Sequence, residues 1–171
     1  SPTELPVDGT EYSATNMIGT STVAYVGSAL TFNETGLTAS ITYFYDIFSY
    51  NGTTGTYNYL TTSPLEGSNS TLVTEPTAQP TALTFSNTQS TSMTLTWAAA
   101  TGSPVGYIVL RKSASSPIDV PVDGTEYALG SAIGTSTVAY AGGTVTFNET
   151  GLTASTTYFY DIFAYNGTTG T

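Results

Sequence analysis

Cysteine and histidine are both absent from the 171-residue sequence, and lysine and arginine together number two. Without these side chains the chain can form no disulfide, thiol nucleophile, histidine-based catalytic triad or ordinary zinc site. Twelve acidic residues leave a formal net charge of −10. The basic surface that nucleic acids and anionic lipids require is therefore missing, and we expect no nucleic-acid partner.

Long apolar runs are lacking as well. No stretch approaches the roughly 18 residues of a membrane-spanning helix, so no membrane span is expected. Charged residues make up only 8% of the chain, but 12% aromatic residues allow a buried core. A composition rich in Ser, Thr, Gly and Asn, poor in Lys and free of Cys favours an extracellular or cell-surface location.

Internal repetition is the strongest positive signal. Residues 1–56 recur as residues 116–171, at an offset of 115 positions. Of the 56 aligned positions 14 differ, so 42 are identical. A period of this length matches one β-sandwich domain and is too long for a solenoid unit. The sequence therefore predicts a tandem repeat of about 115 residues, present here as one full period and half of another.

Apolar and polar residues alternate with a period of two, which is typical of strands. The alternation is plain over residues 93–97, and β-branched or aromatic runs occupy residues 107–110 and 158–163. Turn sequences such as Asp123-Gly124 separate these runs. No segment shows a helical apolar stripe, so the prediction is an all-β chain folded as a sandwich or barrel.

Two segments resemble strands of fibronectin type III domains, especially those of large bacterial surface proteins. Met93, Leu95 and Trp97 are similar to strand B of that family, and residues 106–111 are similar to strand C. The resemblance implies a Greek-key, immunoglobulin-like β-sandwich in which Trp97 fills the core.

A second part of the resemblance lies around strand F. Residues 152–158 are similar to the corner that precedes it, with Ala154 where the family usually has Pro, and the pattern recurs from residue 37. The resemblance implies that Tyr43 and Tyr158 are the corner tyrosines, whose hydroxyl groups bond to nearby backbone.

The strand pattern also suggests where domains begin and end. Residues 1–74 correspond to strands C′ to G of one repeat, and residues 75–171 to strands A to F of the next, with no strand G. The missing strands could come from adjacent repeats of the same chain, or from copies of the chain through strand addition. The prolines at positions 76 and 80 mark the joint.

Alternation within the strands predicts an unusual apolar outer face. Inward positions in strand F leave every second residue outside, and strand C contributes to the same sheet. The candidates for packing or interface residues are Phe44, Phe48, Tyr50, Ile108, Leu110, Phe159, Phe163 and Tyr165. Such a patch fits contacts between domains or chains, and cover by neighbouring strands is the structural alternative.

These patterns point to an extracellular structural protein that forms a stalk, an adhesin shaft or a self-assembling filament. The alternative is a carbohydrate- or surface-binding accessory module of a secreted enzyme, with surface glycans as partners of the aromatic rings. No catalytic, cofactor-binding or metal-binding residue is assigned, and no enzyme activity is expected. Asp123 and Glu126, with Glu149, are at most a weak calcium site because no calcium-loop motif accompanies them.

Overall fold

The computed structural model describes residues 1–168 as an all-β protein, which confirms the fold class expected from the sequence. Backbone contacts divide the chain into two compact units, unit 1 (Ser1–Thr71) and unit 2 (from Leu72 onwards). Over the described residues no helix is long and apolar enough to cross a membrane.

Unit 2 consists of two antiparallel sheets. Its strands are β7 (Thr81–Ser86), β8 (Ser92–Ala98), β9 (Gly106–Ser113), β10 (Ala132–Ile133), β11 (Ser136–Gly142), β12 (Thr146–Thr150) and β13 (Tyr158–Tyr165). One sheet has the order β10-β11-β9-β13 and the other has the order β12-β8-β7. Strand β13 therefore lies at the edge of its sheet.

The core of unit 2 lies between these sheets and follows the alternation of the sequence. In β8, Leu95 and Trp97 are buried while Thr96 between them is exposed. From the other sheet, Val109 and Tyr160 meet them in the same apolar cluster. Each strand is thus held by backbone pairing at its sides and by alternate side chains on one face.

Unit 1 is built from three separate pairs of strands. The strands are β1 (Met17–Ile18), β2 (Ser21–Thr22), β3 (Thr42–Ile47), β4 (Tyr50–Asn51), β5 (Asn58–Tyr59) and β6 (Leu65–Ser70). They pair as β1 with β2, β3 with β6, and β4 with β5. Pro6 is the one buried residue of this fully described unit. Unit 1 therefore has hydrogen-bonded hairpins but no closed apolar core.

Candidate functional site: an open sheet edge and the groove beside it

Strand β13 has one unpaired side, which we call the open edge. The other side pairs with β9, from Tyr158 opposite Ser113 to Tyr165 opposite Gly106. On the open edge the backbone N–H of Ala164 donates to Oε1 of Gln79 at 2.8 Å. Peptide directions alternate along a strand, so the N–H groups of the preceding even-numbered residues also point away from β9. Among residues 1–168 no strand pairs with this edge.

The equivalent edge in unit 1 is occupied. Strand β3 has the same residues as positions 157–162, and it pairs with β6 in register, with Tyr45 opposite Gly67. The pairing continues past the strand ends, where the N–H of Thr71 donates to the carbonyl of Ile41 at 3.0 Å. One copy of this strand is thus covered by β6, and no strand among residues 1–168 covers the other copy.

A groove of about 1150 Å³ lies next to the open edge of unit 2. Both apolar and polar side chains line it, among them Leu72, Val122, Asp123, Tyr127, Phe163 and Tyr165. The floor is the outer face of the β9–β13 pair, and one wall is the segment that connects β9 to β10. A groove of this size is large enough to hold several residues of an extended chain.

In unit 1 the residues equivalent to the groove wall bind Tyr57 and Tyr59. The backbone N–H of Tyr59 donates to Oδ1 of Asp8 at 2.8 Å, and its hydroxyl group donates to the carbonyl of Thr10 at 2.9 Å. The N–H of Gly9 donates to the carbonyl of Tyr57 at 2.7 Å. These contacts hold β5 against the segment from Asp8 to Thr10.

Tyrosine rings complete this arrangement in unit 1. Tyr12 packs edge-on against Tyr59 with ring centroids 5.8 Å apart, and Tyr50 packs edge-on against Tyr57 at 5.5 Å. Tyr12 and Tyr50 correspond to Tyr127 and Tyr165 in unit 2 by the 115-residue offset. Both aromatic partners therefore recur beside the groove.

The sequence predicts that the outward-facing apolar residues of strand β9 are exposed, and this prediction is wrong. Ile108 is 5% exposed and Leu110 is fully buried, together with Ile133 and Val138. The physical reason is the segment between β9 and β10, residues 114–131, which folds back over the sheet. Its Tyr127 packs against this second apolar cluster. The outer face of β9 is therefore covered by the connection between β9 and β10 of the same unit.

Two anchors hold this connection in place. The Asp119 carboxylate accepts hydrogen bonds from the Ser136 hydroxyl at 2.7 Å and from the backbone and side chain of Thr135 at 3.1 Å. These bonds, that of Ser136 first, lower the pKa of Asp119 despite some desolvation. The hydroxyl of Tyr127 accepts from the N–H of Val122 at 3.1 Å. The sequence indicates only the turn at Asp123-Gly124 in this segment, although Tyr127 could have indicated packing.

The remaining outer-face candidates differ between the two units. In unit 2, Phe159 and Phe163 are half-buried, and Phe163 packs on the cluster that contains Ile108. The ring of Tyr165 lies over Gly106 so closely that a Cβ there would meet it at 2.5 Å.

In unit 1 the same strand face is more open. Phe44 is 52% exposed and Tyr50 is 37% exposed, while Phe48 is half-buried. The eight outer-face candidates therefore differ in exposure, and whether any of them binds a partner stays a prediction.

The core and corner candidates lie as follows. Trp97 is 3% exposed and packs edge-on against Tyr107 with ring centroids 5.6 Å apart. The hydroxyl of Tyr158 accepts from the N–H of Thr153 at 3.0 Å. The hydroxyl of Tyr43 accepts from the N–H of Thr38 at 2.9 Å. Each corner is a local loop stapled by its tyrosine.

An ion pair that the sequence patterns did not predict joins the two sheets of unit 2. Arg111 of β9 donates through Nη1 to Oε1 of Glu149 on β12, whose side chain is 4% exposed. The guanidinium also lies 5.4 Å from the ring centroid of Tyr158. Burial, followed by the hydrogen bond to Glu149, strongly raises the pKa of Tyr160. This pairing uses Glu149 structurally, and no described residues form a cluster of three metal-ligating groups.

Comparisons with known proteins identify the family. The model of the fibronectin type III domain matches residues 78–171, more than half of the sequence, and the chain therefore belongs to the fibronectin type III family. No curated protein matches the chain.

Three solved structures are similar at low identity. The chain is 18% identical to a structure of titin kinase and its flanking domains, with a TM-score of 0.39, covering 57% of this chain and 15% of that one. A crystal structure of titin domains A168–A170 is 11% identical, with a TM-score of 0.41, and the match covers 74% of this chain and 49% of that one. Domains d3 and d4 of the rat CD45 extracellular region are 15% identical, with a TM-score of 0.38, and the match covers 98% of this chain and 79% of that one. The chain thus spans less than half of either titin chain.

Proposed function

We propose that this chain belongs to an extracellular structural protein in which serial fibronectin type III repeats form a stalk, an adhesin shaft or a filament. The observation that carries the proposal is the recurrence of a 56-residue stretch with 42 identities at an offset of 115. A shaft requires near-identical repeats at a fixed spacing, because each junction between repeats can then have the same geometry.

The arrangement of strands supports this proposal. In unit 1 the last strand, β6, pairs with β3, and the chain then passes through a segment containing Pro76 and Pro80 before β7 begins. Prolines in a short connection restrict backbone freedom and cannot extend a sheet ladder. A connection of this kind between β-sandwiches limits bending, which is the mechanical property that a shaft needs.

Charge and family support a non-catalytic role outside the cell. Fibronectin type III domains are typically non-catalytic modules. The formal charge of −10 keeps a surface of uncharged polar residues soluble through mutual repulsion. For the carbohydrate-binding alternative, the ring surface of unit 2 is reduced because Phe163 packs on the cluster that contains Ile108 and Tyr165 lies over Gly106.

Immunogold electron microscopy of intact producing cells tests the proposal. We expect antibodies against this chain to label fibres or shafts that extend from the surface, at regular intervals along them. Label confined to the cell interior, or on dispersed particles alone, would overturn it.

A further inference from the structure

We infer that the connection between the two units bends only at residues 72–73, because Asn166 binds the chain to unit 2 from Thr74 onwards. We call residues 72–73 the hinge. The inference rests on the proposed function, since it names the part of the connection on which the stiffness of a shaft depends. It starts from hydrogen bonds that end at Thr71 on the side of unit 1 and begin at Thr74 on the side of unit 2.

Unit 1 binds the chain up to Thr71. The backbone N–H of Thr71 donates to the carbonyl of Ile41 at 3.0 Å. Its hydroxyl donates to the carbonyl of Thr38 at 2.6 Å and accepts from the N–H of Ile41 at 3.1 Å. These hydrogen bonds fix Thr71, through both its backbone and its side chain, to the loop that precedes β3.

Unit 2 binds the chain at Thr74 through Asn166, which directly follows β13. Nδ2 of Asn166 donates to the carbonyl of Thr74 at 3.0 Å. Oδ1 of the same side chain accepts from the backbone N–H of Val105, just before β9, at 3.4 Å. The carboxamide thus uses its donor and its acceptor at once, which fixes its orientation. Asn166 therefore ties the incoming chain to the ends of two paired strands of unit 2.

Beyond this contact the chain lies along unit 2, and we call residues 74–80 the entry segment. Every second residue from Pro76 to Pro80 is half-buried, and those between are exposed. Such alternation indicates that one side of an extended segment faces the domain. Oγ1 of Thr77 lies so close to Gly102 that a Cβ built on this glycine would meet it at 2.9 Å. The entry segment therefore packs on the loop between β8 and β9.

The far end of the entry segment is bound through Gln79, whose Oε1 accepts from the backbone N–H of Ala164 at 2.8 Å. In unit 1 the equivalent of Ala164 is Ser49, whose carbonyl accepts from the N–H of Leu60 at 2.9 Å. A strand that followed β13 in the same way would use the carbonyl of Ala164 and leave its N–H to Gln79. The contacts of the entry segment are therefore compatible with the next strand of the repeat.

Only the hinge remains between these two sets of contacts. Within residues 1–168 no hydrogen bond involves the backbone of Leu72 or Val73. The three peptide steps from Thr71 to Thr74 can span at most about 11 Å. The prolines lie inside the entry segment, so they stiffen a part of the chain that unit 2 already binds. Bending is therefore confined to a much shorter stretch than the ten residues between β6 and β7.

Backbone amide NMR relaxation of the full chain tests the location of the hinge. We expect order parameters below about 0.6 at residues 72–73, and about 0.85 at Thr74 and Thr77, as in a rigid strand. An order parameter at Thr74 as low as that at Val73, or a minimum at Thr77, would overturn the inference.

A matched pair of variants tests the role of Asn166. Asn166→Asp keeps the acceptor for the N–H of Val105 but loses the donor for the carbonyl of Thr74. Asn148→Asp makes the same change at an exposed position of β12 and is the control. We expect Asn166→Asp to lower the order parameter of Thr74 below about 0.6, and Asn148→Asp to leave it unchanged.

Trp97 fluorescence in a urea titration should show the same unfolding transition of unit 2 in both variants. Equal order parameters at Thr74 in the two variants, or a loss of order that accompanies unfolding of unit 2, would overturn the inference. Labelled surface fibres with a mobile Thr74 would overturn the inference and leave the proposed function standing. An ordered Thr74 that Asn166→Asp releases, with label only inside cells, would support the hinge and overturn the proposed function.

Discussion

The two units contain the same pentapeptide in two different structural states. Residues 146–150 form strand β12, paired with β8, and the identical residues 31–35 of unit 1 form no strand. The chemistry of the five side chains is the same, so the difference comes from the surroundings. In unit 2 strand β8 supplies the hydrogen-bonding partner, whereas unit 1 contains no equivalent of β8. A strand is therefore a property of the pair of segments rather than of the segment alone.

The burial of equivalent apolar side chains also differs between the two units. Phe32 is 45% exposed and Leu30 is fully exposed in unit 1, whereas the equivalent Phe147 and Val145 pack against the core of unit 2. Short-range structure, by contrast, is shared. Ser40 and Ser155, at equivalent positions in the two corners, have φ of 60° and 56°. Turns depend on neighbouring residues and survive without the sheet, while burial depends on distant strands.

The largest effect should come from the ion pair that joins the two sheets of unit 2. Arg111→Leu leaves the Glu149 carboxylate buried without its cation, and we expect unit 2 to lose about 3–5 kcal/mol of unfolding free energy. Trp97 is the single tryptophan, so its fluorescence in a urea titration reports unit 2. The double variant with Glu149→Leu should recover most of the loss. If the double variant is as unstable as the single one, the pair does not explain the difference between the units.

A matched pair of leucine truncations sharpens the comparison of the cores. Leu152 is 5% exposed, and we expect Leu152→Ala to cost unit 2 about 2–5 kcal/mol by leaving a cavity. The equivalent Leu37 is only half-buried, so Leu37→Ala should cost unit 1 less than about 1 kcal/mol. Urea unfolding followed by Trp97 fluorescence measures the loss caused by Leu152→Ala, and amide exchange at Gly67 measures the loss caused by Leu37→Ala. Equal losses would mean that unit 1 has a core of its own.

The corner tyrosines should respond alike in both units. Tyr43→Phe and Tyr158→Phe each remove one hydrogen bond to a nearby N–H, worth roughly 1 kcal/mol. We expect amide exchange at Thr38 and Thr153 to accelerate by a similar factor. The Thr125 amide, which donates to the carbonyl of Val122, is the internal control. Acceleration at only one corner would show that the sheet, and not the local loop, holds the bond.

The smallest effect concerns a carboxyl group on the outer face of β13. Burial raises the pKa of Asp161, so the folded state binds its proton more readily than the unfolded state does. Stability should therefore rise as pH falls through the folded pKa, and level off below the unfolded one. Asp161→Asn should be slightly more stable than the wild type at pH 7, with the difference shrinking towards pH 4. A constant difference across this range would contradict the assignment.

Sequence patterns predicted the backbone of unit 2 well. Alternation predicts a strand at residues 93–97, and a β-branched or aromatic run predicts one at residues 158–163; these lie within β8 and β13, respectively. Which side chains share a face followed from the same alternation, since Tyr107 and Val109 lie in one cluster and Ile108 and Leu110 in the other. Alternation is a local property of the chain, and a strand of either sheet shows it regardless of its neighbours.

The cover over the outer face could not be predicted in the same way. The burial of Ile108 involves Tyr127, which is 19 positions away in a connection that is anchored where Asp119 accepts a hydrogen bond from Ser136. The binding of Tyr59 to Asp8 likewise joins residues 51 positions apart. Contacts of this kind depend on loop conformation, which alternation and composition do not encode.

By itself the sequence determined that the chain is β throughout, that it is acidic, that its parts recur, and which residues alternate to each side of a strand. These properties follow from the composition of the chain and from the order of residues close together in it. Only the tertiary structure decided which identical segments become strands and which faces are covered. Those outcomes require backbone partners and apolar surfaces from distant parts of the chain, and the two units differ in having them.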